Sequence, residues 1–230
     1  MEKVRILVLV VSLPSNLKFA AIHSIMRQSV PVEMIVLLTK KSNRGPTLIE
    51  RTPDVTNQGL ESIRLEDFDY ILRMDGDTLL GQNFIKNNLA DNPDAVGVGF
   101  AMLIKVTPFM QLMKGRFYEE CDDTYLGIKF KMFGKNVHTY LEKPVHIGKH
   151  KGIDVPYAVD RGRMLYRMGW TPLHVFQSIF ENLPESLRNI FMFAAYLANF
   201  LLLRPEKMDI ASWVRSYQVR RETHPFARAP

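Results

Sequence analysis

The chain has 230 residues, 47% of them hydrophobic, which is enough apolar mass for a packed core and too much for a disordered chain. Thirty Lys and Arg against 24 Asp and Glu leave a formal charge of +6, which favours an anionic partner such as a nucleotide, a phospholipid surface or nucleic acid without choosing among them. Cys121 is the single cysteine, so an intramolecular disulfide and a Cys-based zinc site are excluded, and a reducing, cytoplasmic setting is the simpler expectation.

Val4 to Val11 is continuously apolar and rich in β-branched residues, the pattern of a parallel strand covered on both faces. Its centre, Ile6 to Val11, is shorter than the roughly 7–15-residue apolar stretch of a secretory signal and reads as a buried strand. Ser15 is placed to cap a helix that aligns Leu17, Ala21, Ile25 and Gln28, with Ile22 and Met26 alongside, and Ser29-Val30-Pro31 stops it. Met34 to Leu38 follows as a second strand, and strand, helix, strand in that order implies a right-handed crossover and a parallel sheet.

Further along, the pattern predicts a short helix over Thr56 to Arg64, a third strand over Tyr70 to Met74, a helix over Gln82 to Ala90 and a strand over Ala95 to Phe100. Asp122 to Phe133 places Leu126, Phe130 and Phe133 on one helical face, with Lys129 and Lys131 near its end and Gly134 as the stop. Val137 to Tyr140 reads as a strand. From Tyr157 onward the composition shifts to apolar or amphipathic helices interspersed with Arg, so the chain divides into 1–156, an α/β nucleotide-binding domain, and 157–230, a helical extension.

Two runs of that extension suggest a membrane surface. Ile190 to Leu203, as a helix, covers roughly 21 Å and falls short of the roughly 30 Å hydrocarbon core, and Arg188 and Arg204 bracket it. Ile210 to Arg221 aligns Ile210, Trp213, Val214 and Tyr217, with Arg215, Arg220 and Arg221 adding charge. Packing on the protein's own core or a homo-oligomer interface explains the same pattern.

Asp75-Gly76-Asp77 stands directly after the strand Tyr70 to Met74, and ligands of open α/β sheets bind at such carboxyl ends. Two carboxylates there suit Mn²⁺ or Mg²⁺, hard cations that take one or two protein oxygens plus substrate phosphates. An Asp-x-Asp also arises by chance in loops, where its acids cap the next turn.

Across about Val4 to Val145 the order of landmarks resembles the inverting family 2 glycosyltransferases of GT-A fold. The family's opening strand, helix and Ser-Ile-x-x-Gln ending is similar to Ile6 to Val11 followed by Ser24-Ile25-Met26-Arg27-Gln28. Its Asn-x-Gly looks like Asn57-Gln58-Gly59, its Asp-x-Asp like Asp75-Gly76-Asp77, and its strand leading to a basic residue like Gly99 to Lys105. The acidic pair that opens the next helix is matched by Asp122-Asp123, where Asp122 replaces the usual Glu.

The resemblance implies a GT-A domain, a Rossmann-like mixed sheet flanked by helices, that moves one sugar from a nucleotide-diphosphate sugar to an acceptor hydroxyl by metal-assisted inverting displacement. Asp123 falls on the general base with Asp122 beside it, Asp77 on the main metal ligand with Asp75 and His146, and Ser12, Pro14, Asn57, Asp75 and Gly76 on the nucleotide side. A carboxylate is needed at the base because an acceptor hydroxyl is a poor nucleophile until its proton is removed. A helix-capping role for Asp122 or Asp123 is compatible with this. His150 is a second candidate beside His146.

Two departures from the family matter. Where it carries Asp after the second strand this chain has Thr39-Lys40-Lys41-Ser42, so the base is not identified, and the Gln-x-x-Arg-Trp of processive synthases is missing at Arg167-Met168-Gly169-Trp170, which favours single-sugar transfer. Lipid-linked, glycan and protein acceptors all remain open, the expected place of action is the cytoplasm or the cytoplasmic face of a membrane, and nucleic acid is not an expected partner. Two other readings stay open: a sugar-phosphate nucleotidyltransferase, opposed by the lack of glycine in Ser12-Leu13-Pro14-Ser15-Asn16, and a non-catalytic membrane-surface or nucleic-acid-binding protein on a degenerate GT-A fold.

Overall fold

β1 (Ile6–Val11) lies at the centre of the core: Ile6 to Val10 expose 0% of their surface, so the run needs no polar alternation. The structure, a computed structural model, describes residues 4–39, 42, 48–97, 99–148, 155–181 and 186–223. The chain divides into two compact units, Met1–Arg44 with Glu50–Lys149 and Gly45–Ile49 with His150–Pro230.

In the first unit β1 pairs in parallel with β2 (Met34–Leu38) on one side and β3 (Tyr70–Asp75) on the other. The helix between the first two strands, α1 (Phe19–Met26), buries Ala21 and Ile25. It starts later than a Ser15 cap predicts, because the amides of Asn16 and Leu17 close a turn on the Leu13 carbonyl and the Lys18 amide donates to the Gly76 carbonyl at 2.8 Å. Gln28 at its far end donates to the carbonyls of Ser24 and Gly81 and accepts from the Ile85 amide, which latches the helix to the segment after β3.

α2 (Leu48–Leu60) begins well before the predicted Thr56 and carries Pro53 inside it. A proline near the amino end deletes one backbone bond without ending the helix. β4 (Thr78–Leu79) and a short α3 (Phe84–Asn88) follow. The strand expected over Ala95 to Phe100 stops at Val96 as β5 (Ala95–Val96), and a separate β6 (Ala101–Lys105) begins beyond the expected end. Gly97 and Gly99 adopt φ of +74° and +80° between them, which turns the chain back antiparallel.

A 3-10 turn over Leu65–Asp67 precedes β3, and further along this unit come α4 (Val106–Met113), which no sequence pattern predicted, α5 (Asp122–Met132), β7 (Val137–His138) and β8 (Val145–His146). The main sheet has the order β2-β1-β3-β6-β5-β7, with β6 antiparallel to β3, and β4 and β8 form a separate antiparallel pair.

The second unit is helical: α6 (Val155–Arg167), α7 (Pro172–Glu181), α8 (Ser186–Ala198) continued by a π-helical turn over Asn199–Leu203, and α9 (Ala211–Thr223). Gly162 lets α6 approach α8 closely, since a Cβ there would stand 2.2 Å from the Met192 carbonyl oxygen. Tyr166, Val175 and Tyr196 form the small core, and the Tyr196 hydroxyl donates to the Trp170 carbonyl at 2.6 Å. Among the described residues no helix is long and apolar enough to cross a membrane.

Candidate functional site

Parallel pairing brings the carboxyl ends of β1, β2 and β3 together. Val11 stands opposite Asp75, the Gly76 amide donates to the Val11 carbonyl at 3.0 Å, and the Ser12 amide donates to the Leu38 carbonyl at 3.0 Å. Gly76 is required here: a Cβ would lie 2.4 Å from the Ser12 Cβ. Ser12, Asp75 and Gly76 therefore share one strand end, and Pro14 is exposed in the turn that leaves it.

β4 and β8 position the next pair. Thr78 pairs with His146, and the Ile147 amide donates to the Asp77 carbonyl at 2.9 Å, which sets the Asp77 Oδ1 3.4 Å from His146 Nδ1. The imidazole stacks on Phe100, with ring centroids 4.3 Å apart and planes 13° from parallel. A Cβ on Gly148 would fall 2.3 Å from Asp77 Oδ2 and 2.6 Å from His146 Nε2, so only glycine leaves room beside the two side chains.

Arg73 joins this end of β3 to the start of α5. Its guanidinium lies 3.4 Å from Asp75 Oδ1 and 3.7 Å from Asp122 Oδ2, and its Nη1 donates to the Gly99 carbonyl at 2.7 Å. The side chains of Arg73 and Asp122 are 6% and 7% exposed, whereas that of Asp75 is 32% exposed. Burial disfavours the Arg73 charge, but Asp122, Asp75 and Asp123 outweigh it and hold the guanidinium protonated beyond its usual range. Burial pushes the Asp122 carboxyl up to about 6, with Arg73 pulling it back and Asp123 pushing it further. Asp75 shifts upward for the same first reason, opposed by Arg73 and reinforced by Asp77 and Asp123.

Asp123 behaves differently from its neighbour. It is half-buried, its Oδ1 accepts from the Thr124 amide at 2.6 Å and hydroxyl at 3.2 Å, and its Oδ2 lies 3.9 Å from where a Cβ of Gly99 would stand. Cys121, at φ +49°, occupies the N-cap of α5 without a side-chain capping bond, so neither Asp takes that position. The adjacent Phe100 carbonyl accepts the Asp75 amide at 2.9 Å, so the Gly99-Phe100 bend touches both acidic pairs.

Asp75, Gly76, Asp77, His146, Asp122 and Asp123, all read from the sequence, thus gather around one strand end with Ser12. Asn57 is the exception. It is 6% exposed, and its amide is committed to the Phe117 backbone, donating at 2.9 Å to the carbonyl and accepting at 2.7 Å from the amide, so it tethers a loop and is not available to a nucleotide. His150 lies outside the described residues. Arg73, Gly99 and Gly148 were missed; a lone Arg inside the apolar strand Tyr70 to Met74 was the available signal.

Among the described residues no three His, Cys, Asp or Glu side chains converge to cage an ion by themselves. That donor set still fits Mn²⁺ or Mg²⁺, which draw much of their coordination from water and substrate phosphates, and the space that Gly148 leaves beside Asp77 and His146 is a cradle for such an ion. A groove of about 450 Å³ lined by Asp69, Lys105 and Gln111 lies at the opposite end of β3, away from these acids.

No family model matches the chain, and no curated protein matches it. Among solved structures it is similar to the mannosyltransferase PcManGT from Pyrobaculum calidifontis, in complex with GDP-Man and Mn²⁺, at 14% identity and a TM-score of 0.55 over 96% of this chain and 81% of that one. Weaker similarities are to S. aureus TarS with UDP-GlcNAc (10% identity, TM-score 0.47, 86% and 73% covered). A Drosophila galactosyltransferase 7 mutant with manganese, UDP-Gal and xylobiose gives 16% identity and a TM-score of 0.43, with 64% and 72% covered. The mixed six-stranded sheet with flanking helices is the GT-A fold of glycosyltransferases.

Proposed function

We propose that the chain is a metal-assisted glycosyltransferase, resembling family 2, that moves one sugar from a nucleotide-diphosphate donor to an acceptor hydroxyl with inversion. The observation that carries this reading is the pairing, through Arg73, of the acids at the end of β3 with those at the start of α5. Asp77, with Asp75 and His146, would hold Mn²⁺ or Mg²⁺, which supplies positive charge against the departing diphosphate. Ser12, Pro14 and Gly76 line the nucleotide side. Asp123 takes the acceptor's proton as the acceptor oxygen bonds to the anomeric carbon and the bond from that carbon to the diphosphate breaks. Attack from the face opposite the leaving group inverts that carbon. Asp122, turned onto Arg73, is not exposed enough to take that proton.

A nucleotidyltransferase or a non-catalytic protein would make less use of these residues: neither needs a second acidic pair beside the metal-side acids. The direct test is release of GDP or UDP from a panel of nucleotide sugars with Mn²⁺ and with EDTA. Mn²⁺-dependent release supports the reading. Pyrophosphate release from a nucleoside triphosphate and a sugar phosphate, with no release from nucleotide sugars, replaces it with the nucleotidyltransferase.

The acceptor reading extends to lipid-linked acceptors at the cytoplasmic face of a membrane. It rests on the outward side of α8 and its π-helical turn, where Ile190, Phe191 and Leu201 are exposed, Leu202 and Leu203 are 78% and 70% exposed, and the exposed Arg204 follows. Apolar side chains next to a cation suit the headgroup region. Flotation of the full chain with anionic and neutral vesicles tests it, and recovery of all protein in the bottom fraction with both vesicle types contradicts it.

A further inference from the structure

We infer that Arg73 is a positioning residue that holds Asp75 and Asp122 at one fixed spacing, so that the cation side of the site and the base Asp123 stay aligned. The inference rests on the glycosyltransferase reading for what is aligned, and on geometry for how. Arg73 leaves an interior strand of the sheet, opposite Leu9 on β1 and Met102 on β6, so its backbone is held from both sides. Its guanidinium then reaches three partners on three parts of the chain: Asp75 at the end of its own strand, the Gly99 carbonyl in the bend, and Asp122 on α5. One of the three is a hydrogen bond, to Gly99 at 2.7 Å, and it fixes the guanidinium plane; the contacts to Asp75 and Asp122, at 3.4 and 3.7 Å, are ion pairs made from different nitrogens of that plane, a geometry that a single ammonium cannot reproduce.

Stability alone does not account for the arrangement. A buried ion pair loses much of its attraction to desolvation, and well-packed apolar residues of similar volume often stabilise as well or better. The contact to Gly99 adds a second link, because the neighbouring Phe100 carbonyl holds the Asp75 amide and the Phe100 ring stacks on His146. The residues around the leaving diphosphate and those around the acceptor proton are thus referenced to one side chain.

The test compares the full chain with Arg73→Lys and with the double variant Arg73→Met, Asp122→Leu, which removes the pair and leaves the net charge of the cluster unchanged. Thermal unfolding checks folding. Mn²⁺ is titrated by electron paramagnetic resonance alone and with inorganic pyrophosphate, and kcat and donor KM are measured with the nucleotide sugar the parent uses. Both variants should remain folded, bind Mn²⁺ about 10-fold more weakly because Asp75 loses its orienting contact, and, at saturating Mn²⁺, lose about 10²-fold in kcat with little change in donor KM. A folded double variant with the parent's Mn²⁺ affinity and kcat would show that Arg73 only balances charge, and overturn the inference. If the double variant does not fold, Arg73→Lys decides by the same criteria. A parent that binds Mn²⁺ but transfers no sugar sinks the proposed reaction and leaves the Mn²⁺ arm to judge Arg73. A parent that binds no Mn²⁺ under either condition overturns the inference, since Asp75 then has no cation to be positioned for.

Discussion

The end of β3 and the start of α5 each present two acids, and each divides them in the same manner. Asp75 and Asp122 are the members that meet Arg73, while Asp77 and Asp123 stand beside glycines, Gly148 and Gly99, that leave space next to their carboxylates. The difference is exposure: the Asp75 side chain is 32% exposed and can still share in binding a cation, whereas Asp122, at 7%, is spent on the internal pair. One pair therefore offers two oxygen donors and the other a single proton acceptor, which is the asymmetry that a metal-assisted displacement needs.

The largest effect expected from breaking this comparison is at Asp77. Asp77→Ala should abolish Mn²⁺-dependent donor binding and turnover, because Asp75 is held by Arg73 and cannot alone orient a cation against a diphosphate. Calorimetric titration of GDP or UDP with Mn²⁺ checks it. Next comes Asp123→Asn, expected to leave that titration unchanged while transfer falls about 10²–10⁴-fold. If Asp122→Asn is the inactive variant and Asp123→Asn is active, the two members of the α5 pair have been assigned the wrong way round.

A smaller effect sharpens the role of the glycines. Gly148→Ala places a Cβ 2.3 Å from Asp77 Oδ2, so the carboxylate or the loop must move, and a displacement of that order costs about 10²-fold in turnover. Gly134→Ala, where a Cβ meets nothing within 4 Å but φ is +67°, isolates the cost of backbone strain away from the site and should lower stability while leaving turnover unchanged. Steady-state kinetics of the two variants, normalised to folded protein, separates the outcomes.

The smallest effect is on stability. Asp122 has a folded pKa raised from 3.8 to about 6, so between those values the native state binds a proton that the unfolded chain has released, and stability falls as pH rises through this window. A shift of about two pKa units is worth at most about 3 kcal/mol. Asp122→Asn should flatten this part of the profile of melting temperature against pH, measured in EDTA to remove bound cations. Identical slopes in parent and variant would show that Asp122 is not the group that titrates there.

Why some of this was legible and some was not follows from what each feature looks like in one dimension. β1 announces itself because a strand buried on both faces reads as an unbroken apolar run, and β2 and β3 carry nearly the same signal, although β2 is an edge strand with Met34 and Leu37 exposed and β3 is interrupted by Arg73. β4 and β8 are two residues each, too short to carry a period, yet they are what brings Asp77 to His146. α4 opens with Val106-Thr107-Pro108, which reads as a break, although proline is tolerated in a first helical turn. The bend at Gly97 and Gly99 was taken for a continuing strand, since the positive φ of each glycine is invisible in an apolar run.

The site shows the same division. Its acids stand out as motifs, and Asp77, Asp123 and His146 are found where those motifs place them relative to the sheet. Asn57 matched a motif as well, but its amide is consumed by Phe117, sixty residues away, and no local pattern reveals that. Arg73 carried the opposite signal: a guanidinium in a buried strand is costly unless paired, and two of its partners, Gly99 and Asp122, lie on segments that meet it only after folding.

The most direct measurement of the division between the two acidic pairs is anomalous diffraction from Mn²⁺ in crystals grown with GDP or UDP. The account predicts one anomalous peak bonded to the Asp77 carboxylate, with the diphosphate on the same ion and no manganese at Asp123. A peak bonded to Asp122 or Asp123, or a nucleotide bound at the strand end with no manganese beside Asp77, would contradict it.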